Sequence, residues 1–91
     1  MKYELEFTRQ YLKDLKLARK RGLSEDKLNE IILKLVSGEV LPTKNRDHAL
    51  SGDYSGFREC HITPDWLLIY SLDTSVKIVT LTRTGSHSDL F

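Results

Sequence analysis

Ser24-Glu25-Asp26-Lys27-Leu28-Asn29-Glu30-Ile31-Ile32-Leu33-Lys34-Leu35-Val36-Ser37-Gly38 is the stretch on which the reading of this chain turns. Leu28, Ile31, Ile32, Leu35 and Val36 fall at i, i+3, i+4, i+7 and i+8, so an α-helix carries all five on one face. Ser24 can cap its start, Glu25 and Asp26 meet its positive end, and Gly38 supplies the stop. A helix with a single apolar face must cover another element, and the flanking sequence provides one.

Upstream, residues 2–7 alternate Tyr3, Leu5 and Phe7 with Lys2, Glu4 and Glu6, a period of two that predicts a half-buried strand. Thr8 can cap a first helix in which Tyr11, Leu12, Leu15 and Ala18 form the apolar stripe and Gly22 is the stop. The short Gly22-Leu23 connection implies that the two helices pack as an antiparallel hairpin. Downstream, residues 42–56 are rich in Pro, Asn, Asp, Ser and Gly without a sustained period, which predicts a loop. Loops of roughly 15 residues in a compact unit are usually functional.

Three β-like runs follow, over residues 57–62, 66–72 and 76–82, separated by Thr63-Pro64-Asp65 and Asp73-Thr74-Ser75. The middle run, Trp66-Leu67-Leu68-Ile69-Tyr70, is apolar on both faces, as a central strand needs when both sides are covered. The expected fold is therefore α+β: an N-terminal strand, a helical hairpin, then an antiparallel sheet of three further strands. One sheet face lies under the helices and the other is partly open. With 91 residues and no repeat, low-complexity segment or linker, residues 1–91 are expected to form one domain.

Composition excludes several classes. At 40% hydrophobic and 30% charged residues, with no stretch near the ~18 consecutive apolar residues of a membrane span, the chain reads as globular with no membrane partner. Its first residues hold no apolar signal segment, and a cytoplasmic setting is expected. Cys60 is the only cysteine, so neither an internal disulfide nor a thiolate cluster can form, and its simplest reading is a small buried hydrophobe. The net charge is +1, yet Arg9, Lys13, Lys16, Arg19, Lys20 and Arg21 crowd residues 9–21 against the single acid Asp14. This surface can attract phosphates or an acidic partner, or be merely a solvated helix face.

The three histidines, His48, His61 and His87, all lie outside the helical hairpin. A lone histidine is more often structural than catalytic. Their placement matters more: in the strand over 57–62, Cys60 and Ile62 share one face and Glu59 and His61 the other, so His61 projects from the open face if the apolar pair meets the helices. Asp65 follows just past the Pro64 turn, Arg83 ends the last strand, and His87 sits in a tail that the core does not need. Two histidines and an aspartate could bind zinc, but a proline turn separates His61 from Asp65 and no histidine pair has helical i, i+4 spacing, so neither metal nor cofactor is expected. Phosphate-loop, nucleophile-elbow and dinucleotide-binding glycine motifs are missing from the sequence.

Metal-free RNA cleavage asks for the groups that are present. A base takes the 2′-hydroxyl proton, an acid protonates the departing 5′-oxygen, and a cation meets the charged intermediate. Imidazoles suit both proton transfers and Arg83 suits the phosphate. Trp66 and Phe91 could stack on unpaired bases; core packing is the other reading of Trp66, whereas an aromatic at the end of a chain is harder to explain as core.

Taken together, Asp47-His48-Ala49-Leu50-Ser51-Gly52, Gly56-Phe57-Arg58-Glu59-Cys60-His61, Pro64-Asp65-Trp66-Leu67-Leu68-Ile69-Tyr70 and Arg83-Thr84-Gly85-Ser86-His87-Ser88-Asp89-Leu90-Phe91 resemble the YafQ branch of the RelE/ParE toxins. The resemblance extends over the whole chain. It implies a RelE-like fold and a ribosome-dependent mRNA endonuclease, the toxin of a toxin–antitoxin pair, with a cognate antitoxin, the ribosome with its rRNA, and mRNA as partners. It also implies functional positions at His48, His61, Asp65, Trp66, Arg83, His87 and Phe91. Of these, His87 would be the general acid, His61 and Asp65 would supply or orient the base, and His48 and Arg83 would contact the scissile phosphate. Lys13, Lys16, Arg19 and Lys20 are added as RNA contacts from the basic helix. Two other readings use the same fold: a toxin that inhibits gyrase by binding, which would not need proton-transfer groups, and a catalytically silent antitoxin-binding module.

Overall fold

Thr8 ends the first strand and starts the first helix. In the computed structural model, which describes residues 2–91, β1 (Glu4–Phe7) leads directly into α1 (Arg9–Lys20). The Thr8 hydroxyl accepts the Tyr11 N–H at 3.0 Å and donates to the Thr82 carbonyl at 2.8 Å, so one side chain caps the helix and ties it to the sheet. Gly22, at φ +74°, reverses the chain with a conformation that most side chains resist, and α2 (Glu25–Val36) returns. Ser24 precedes α2 with extended backbone, but its hydroxyl makes no capping bond.

The remaining elements are a short helical turn (Thr43–Asn45), β2 (His48–Ala49), a second turn (Gly52–Tyr54), β3 (Arg58–Thr63), β4 (Trp66–Asp73), β5 (Ile78–Gly85) and α3 (His87–Leu90). They build a five-stranded sheet in the order β1-β5-β4-β3-β2. Strands β2 to β5 pair antiparallel, and β1 joins the β5 edge parallel, Glu4 opposite Ile78 and Phe7 opposite Leu81. No helix among the described residues is long and apolar enough to cross a membrane.

The α2 stripe behaves as its spacing predicts. Leu28, Ile31, Leu35 and Val36 are buried, with Ile32 partly so, against Cys60, Ile62, Trp66, Leu68, Tyr70, Val79 and Leu81 of the sheet. Each such side chain contributes about 1.5–3 kcal/mol by leaving water. The α1 stripe is narrower than expected: Tyr11 and Ala18 are buried, Leu15 is partly covered and Leu12 is exposed. All four residues of β1 are exposed rather than half-buried, because β1 is an edge strand whose Leu5 and Phe7 reach past the cover.

Two further departures shape the site. The expected loop over 42–56 contains a fifth strand, β2, and is firmly tied down: Asn45 Nδ2 donates to the His61 carbonyl at 2.7 Å, and Asp47 accepts from the Tyr70 hydroxyl at 2.6 Å and from Arg58 at 3.3 Å. The second sheet face is also less open than expected. Leu67 and Ile69 are covered there by Leu90, Leu50, Tyr54 and Phe57, which form a small second core.

Candidate active site

β-pairing brings the histidines together. His48 on β2 stands directly opposite Glu59 on β3, and His61 follows two residues after Glu59 on the same face. The Glu59 carboxylate, only 5% exposed, lies 3.4 Å from His61 Nε2 and 3.9 Å from His48 Nε2. The imidazole of His87, the first residue of α3, comes alongside. Ring centroids are 6.5 Å apart for His48 and His61 and 5.6 Å for His61 and His87, so the three form a row along one rim of the sheet.

Each outer ring is held by an acceptor. His48 Nδ1 lies 2.6 Å from the carbonyl of Arg46, a residue at φ +47° and ψ +45°. A carbonyl only accepts, so Nδ1 carries a hydrogen, and Nε2 is the nitrogen turned toward Glu59. A non-glycine residue in this left-handed region costs on the order of 1 kcal/mol, offset here by the turn around it and by the histidine bond. The Asp65 carboxylate accepts from His87 Nδ1 at 2.9 Å and from its backbone N–H at 3.2 Å. These hydrogen bonds, the ring's first, hold the Asp65 carboxyl below its ordinary range. His87 Nε2 is left pointing away from that clamp.

The tail that carries His87 is docked, contrary to expectation. Ser86 and Asp89 form a reciprocal capping box at the start of α3, Arg21 donates to Asp89 at 2.6 and 3.2 Å, and Leu90 is buried. The Arg21 bond, followed by the Ser86 N–H, drives the Asp89 carboxyl well below the usual carboxylate range. Gly85 makes the approach possible, since a β-carbon there would meet the Asp89 side chain at 3.0 Å.

Trp66 does not offer a face to a base, as the resemblance implied. It is 1% exposed and its indole N–H donates to Thr84 Oγ1 at 2.9 Å, so it belongs to the core. Arg83 also departs from expectation. A bulge at Thr82, where neighbouring Ile69 and Tyr70 pair with Arg83 and Leu81, turns Arg83 onto the face of Ile69 and Glu59. There its guanidinium is not free: it donates to Asp14 at 3.0 and 3.1 Å, and Asp14 also accepts the Thr84 N–H at 3.2 Å where β1 no longer flanks β5.

Phe91 is largely exposed and edge-on to Tyr54 at 5.5 Å, so it does offer an aromatic face. Lys13, Lys16, Arg19 and Lys20 are exposed on α1, which packs against β5, two strands from β3; they do not join the histidine row. Arg19 is moreover paired with Glu25. Cys60 is fully buried, and burial pushes its thiol up to about 12, which removes it as a nucleophile.

Glu59 joins the site although its sequence position marks it only as a same-face neighbour of His61; the period-two spacing is the signal that could have found it. Arg46 and Asp14 carry no such signal. The ligand atoms of Glu59, His61 and His87 all lie within 4.8 Å of one another, a set that could hold a metal ion. The proline turn sets Asp65 apart from His61 as a ligand, but it leaves this other trio, assembled by α3, intact.

Comparison with known proteins adds four relations. The family described as a bacterial toxin of type II toxin–antitoxin systems, YafQ, matches residues 3–91. The mRNA interferase toxin YafQ of Escherichia coli K12 is 40% identical over 89 residues, which are 97% of this chain and 95% of that protein. Among solved structures, the E. coli DinJ–YafQ toxin–antitoxin complex superposes with a TM-score of 0.90 at 39% identity, covering 100% of this chain and 99% of that one. A metal-bound toxin from Helicobacter pylori superposes with a TM-score of 0.91 at 37% identity, covering 98% and 99%.

Proposed function

Because the chain belongs to the YafQ family of type II toxins, we propose that it is a ribosome-dependent mRNA endonuclease that cuts by metal-free transphosphorylation. The observation that carries this reading is the row of three imidazoles backed by two carboxylates, Glu59 and Asp65. Binding alone, whether to gyrase or to an antitoxin, has no use for such a row.

The 5.6 Å spacing of His61 and His87 suits two proton transfers at one phosphate. His61 takes the 2′-hydroxyl proton as that oxygen attacks phosphorus, and the Glu59 carboxylate stabilises the charge the ring acquires. The bond to the 5′-oxygen breaks, and His87 delivers a proton to it, leaving a 2′,3′-cyclic phosphate and a 5′-hydroxyl. Asp65 orients His87 rather than assisting His61, through its bond to Nδ1. His48 holds the phosphate from the other side of His61. Phe91 stacks on a base of the unpaired message.

A cognate antitoxin, rRNA and mRNA are the partners, and the cytoplasm is the setting. The test is cleavage of mRNA on translating ribosomes with the cut positions mapped. Wild-type protein should yield defined cuts and His61→Ala none; wild-type protein that leaves mRNA intact would return the chain to the binding-only readings.

A second reading concerns metal. Glu59, His61 and His87 offer one oxygen and two nitrogens, a donor set suited to zinc or copper, and the H. pylori relative is metal-bound. Such an ion would occupy the lone pairs that the proton transfers require. Metal at this trio is therefore inhibitory in this reading.

A further inference from the structure

A cleft of about 460 Å³ opens directly beside His61, between α2 and the turn at Thr43–Asn45. That volume is in the range of ordinary ligand pockets. Its rim carries Lys27, Lys34, Lys44 and Arg46 against one acid, Glu30, and none of the four cations is ion-paired among the described residues. Charge of one sign concentrated in a concave surface focuses the field on an anion. Ile31 and Ile62 contribute apolar surface to the same cleft.

The wall nearest the histidines is rigid. Asn45, 6% exposed, donates to the His61 carbonyl, and Arg46 holds its left-handed conformation while its own carbonyl receives His48 Nδ1. The cleft and the row thus share a backbone support. By contrast, Arg83 is bound to Asp14, so the unpaired cations that lie beside His61 are those of the cleft.

We propose that this cleft is the subsite for the ribonucleotide that adjoins the scissile phosphate, its lysines binding the neighbouring backbone phosphate and its apolar floor taking the sugar or base. The proposal rests on the endonuclease reading. RNA is favoured over an acidic protein segment because His61 lines the cleft, so a chain whose phosphate sits on the histidine row can continue directly into it. Arg46 is also placed to supply the cation that Arg83 does not.

The test uses Lys34→Gln/Lys44→Gln, two side chains remote from the proton transfers, with folding checked by thermal melts. Messages are prepared with a single uncharged methylphosphonate linkage at each position around the mapped cut. In single-turnover titrations on translating ribosomes, the enzyme concentration for half-maximal cleavage should rise roughly tenfold in the variant, while the rate at saturation stays within about twofold. One neutral linkage adjoining the cut should weaken wild type and cause no further loss in the variant. With single-stranded oligonucleotides blocked by 2′-O-methylation, the slope of log affinity against log salt should fall by about 0.7 for each phosphate that the variant no longer engages.

Wild-type titration by the variant, or a neutral linkage that weakens both proteins equally, overturns the proposal. So does a variant that cuts normally but binds antitoxin less tightly, which would give the cleft to an acidic protein segment. If wild type cuts no ribosome-bound mRNA, the endonuclease reading fails on its own, and the oligonucleotide titration still decides whether the cleft binds RNA.

Discussion

Replacing His87 by Ala separates chemistry from folding. The His87 side chain is 54% exposed and its one strong partner, Asp65, is 71% exposed, so the lost pair is a solvent-screened surface interaction that adds little to stability. Even 1 kcal/mol lowers the melting temperature by only about 4–8 °C in a chain of this size. Losing the general acid costs roughly a hundredfold to ten-thousandfold in rate, which is about 3–5.5 kcal/mol of barrier. The kinetic effect thus exceeds the folding effect several-fold. Asp65→Asn keeps an acceptor for Nδ1 but loses its charge, and should slow cleavage by about 10–100-fold. The assay is single-turnover cleavage on translating ribosomes at saturating enzyme, alongside thermal melts and ribosome binding. A folded, ribosome-bound His87→Ala protein that cuts at the wild-type rate refutes the assignment and moves the acid to His48 or His61.

Trp66→Ala should cost about 3–5 kcal/mol in urea unfolding, because a fully buried ring is removed; a variant of wild-type stability with weakened RNA binding would instead restore the base-stacking role. Asp89 is depressed when folded, so its contribution is complete above about pH 4, the ordinary carboxylate value, and is lost as pH falls below it. Asp89→Asn should therefore be less stable than wild type at pH 7, the gap narrowing progressively in melts as pH falls below about 4, and parallel pH profiles would contradict the Arg21 clamp. Chelator-treated protein should retain its cleavage rate and stoichiometric zinc should slow it; zinc-dependent activity would reverse the mechanism. If the antitoxin uses the basic face of α1, affinity should fall as salt rises and with charge reversal at Lys13 and Lys16; indifference to both would leave α1 a solvated face.

What the sequence made legible was local. The α2 stripe is readable because a helix presents its periodicity within fifteen residues, and the pairing of Glu59 with His61 on one face follows from strand geometry alone. Thr8 as a cap is equally local. The features that escaped are set by distant partners. β2 is two residues long and exists because Glu59 and Arg58 offer it an edge. The bulge at Thr82 inverts the facing of Arg83, and Asp14 neutralises it from 69 residues away. Docking of α3 depends on Arg21, 68 residues before Asp89. The histidine row is therefore half legible: its residue types and one of its faces can be read, whereas its spacing depends on β2 and α3 arriving at the same rim.

The parallel seam between β1 and β5 sets the order of assembly during synthesis. Thr8 is joined to the carbonyl of Thr82 across 74 residues, and every rung of β1 waits for β5. Long-range closure of this kind is slow, and until it occurs the exposed first strand has no partner. His87 lies beyond β5, so the imidazole row can be completed only after the whole sheet has been synthesised. A nascent chain that still lacks β5 therefore carries His48 and His61 without their neighbour, and is missing the pair on which the proposed cleavage depends while it is still attached to the ribosome that makes it.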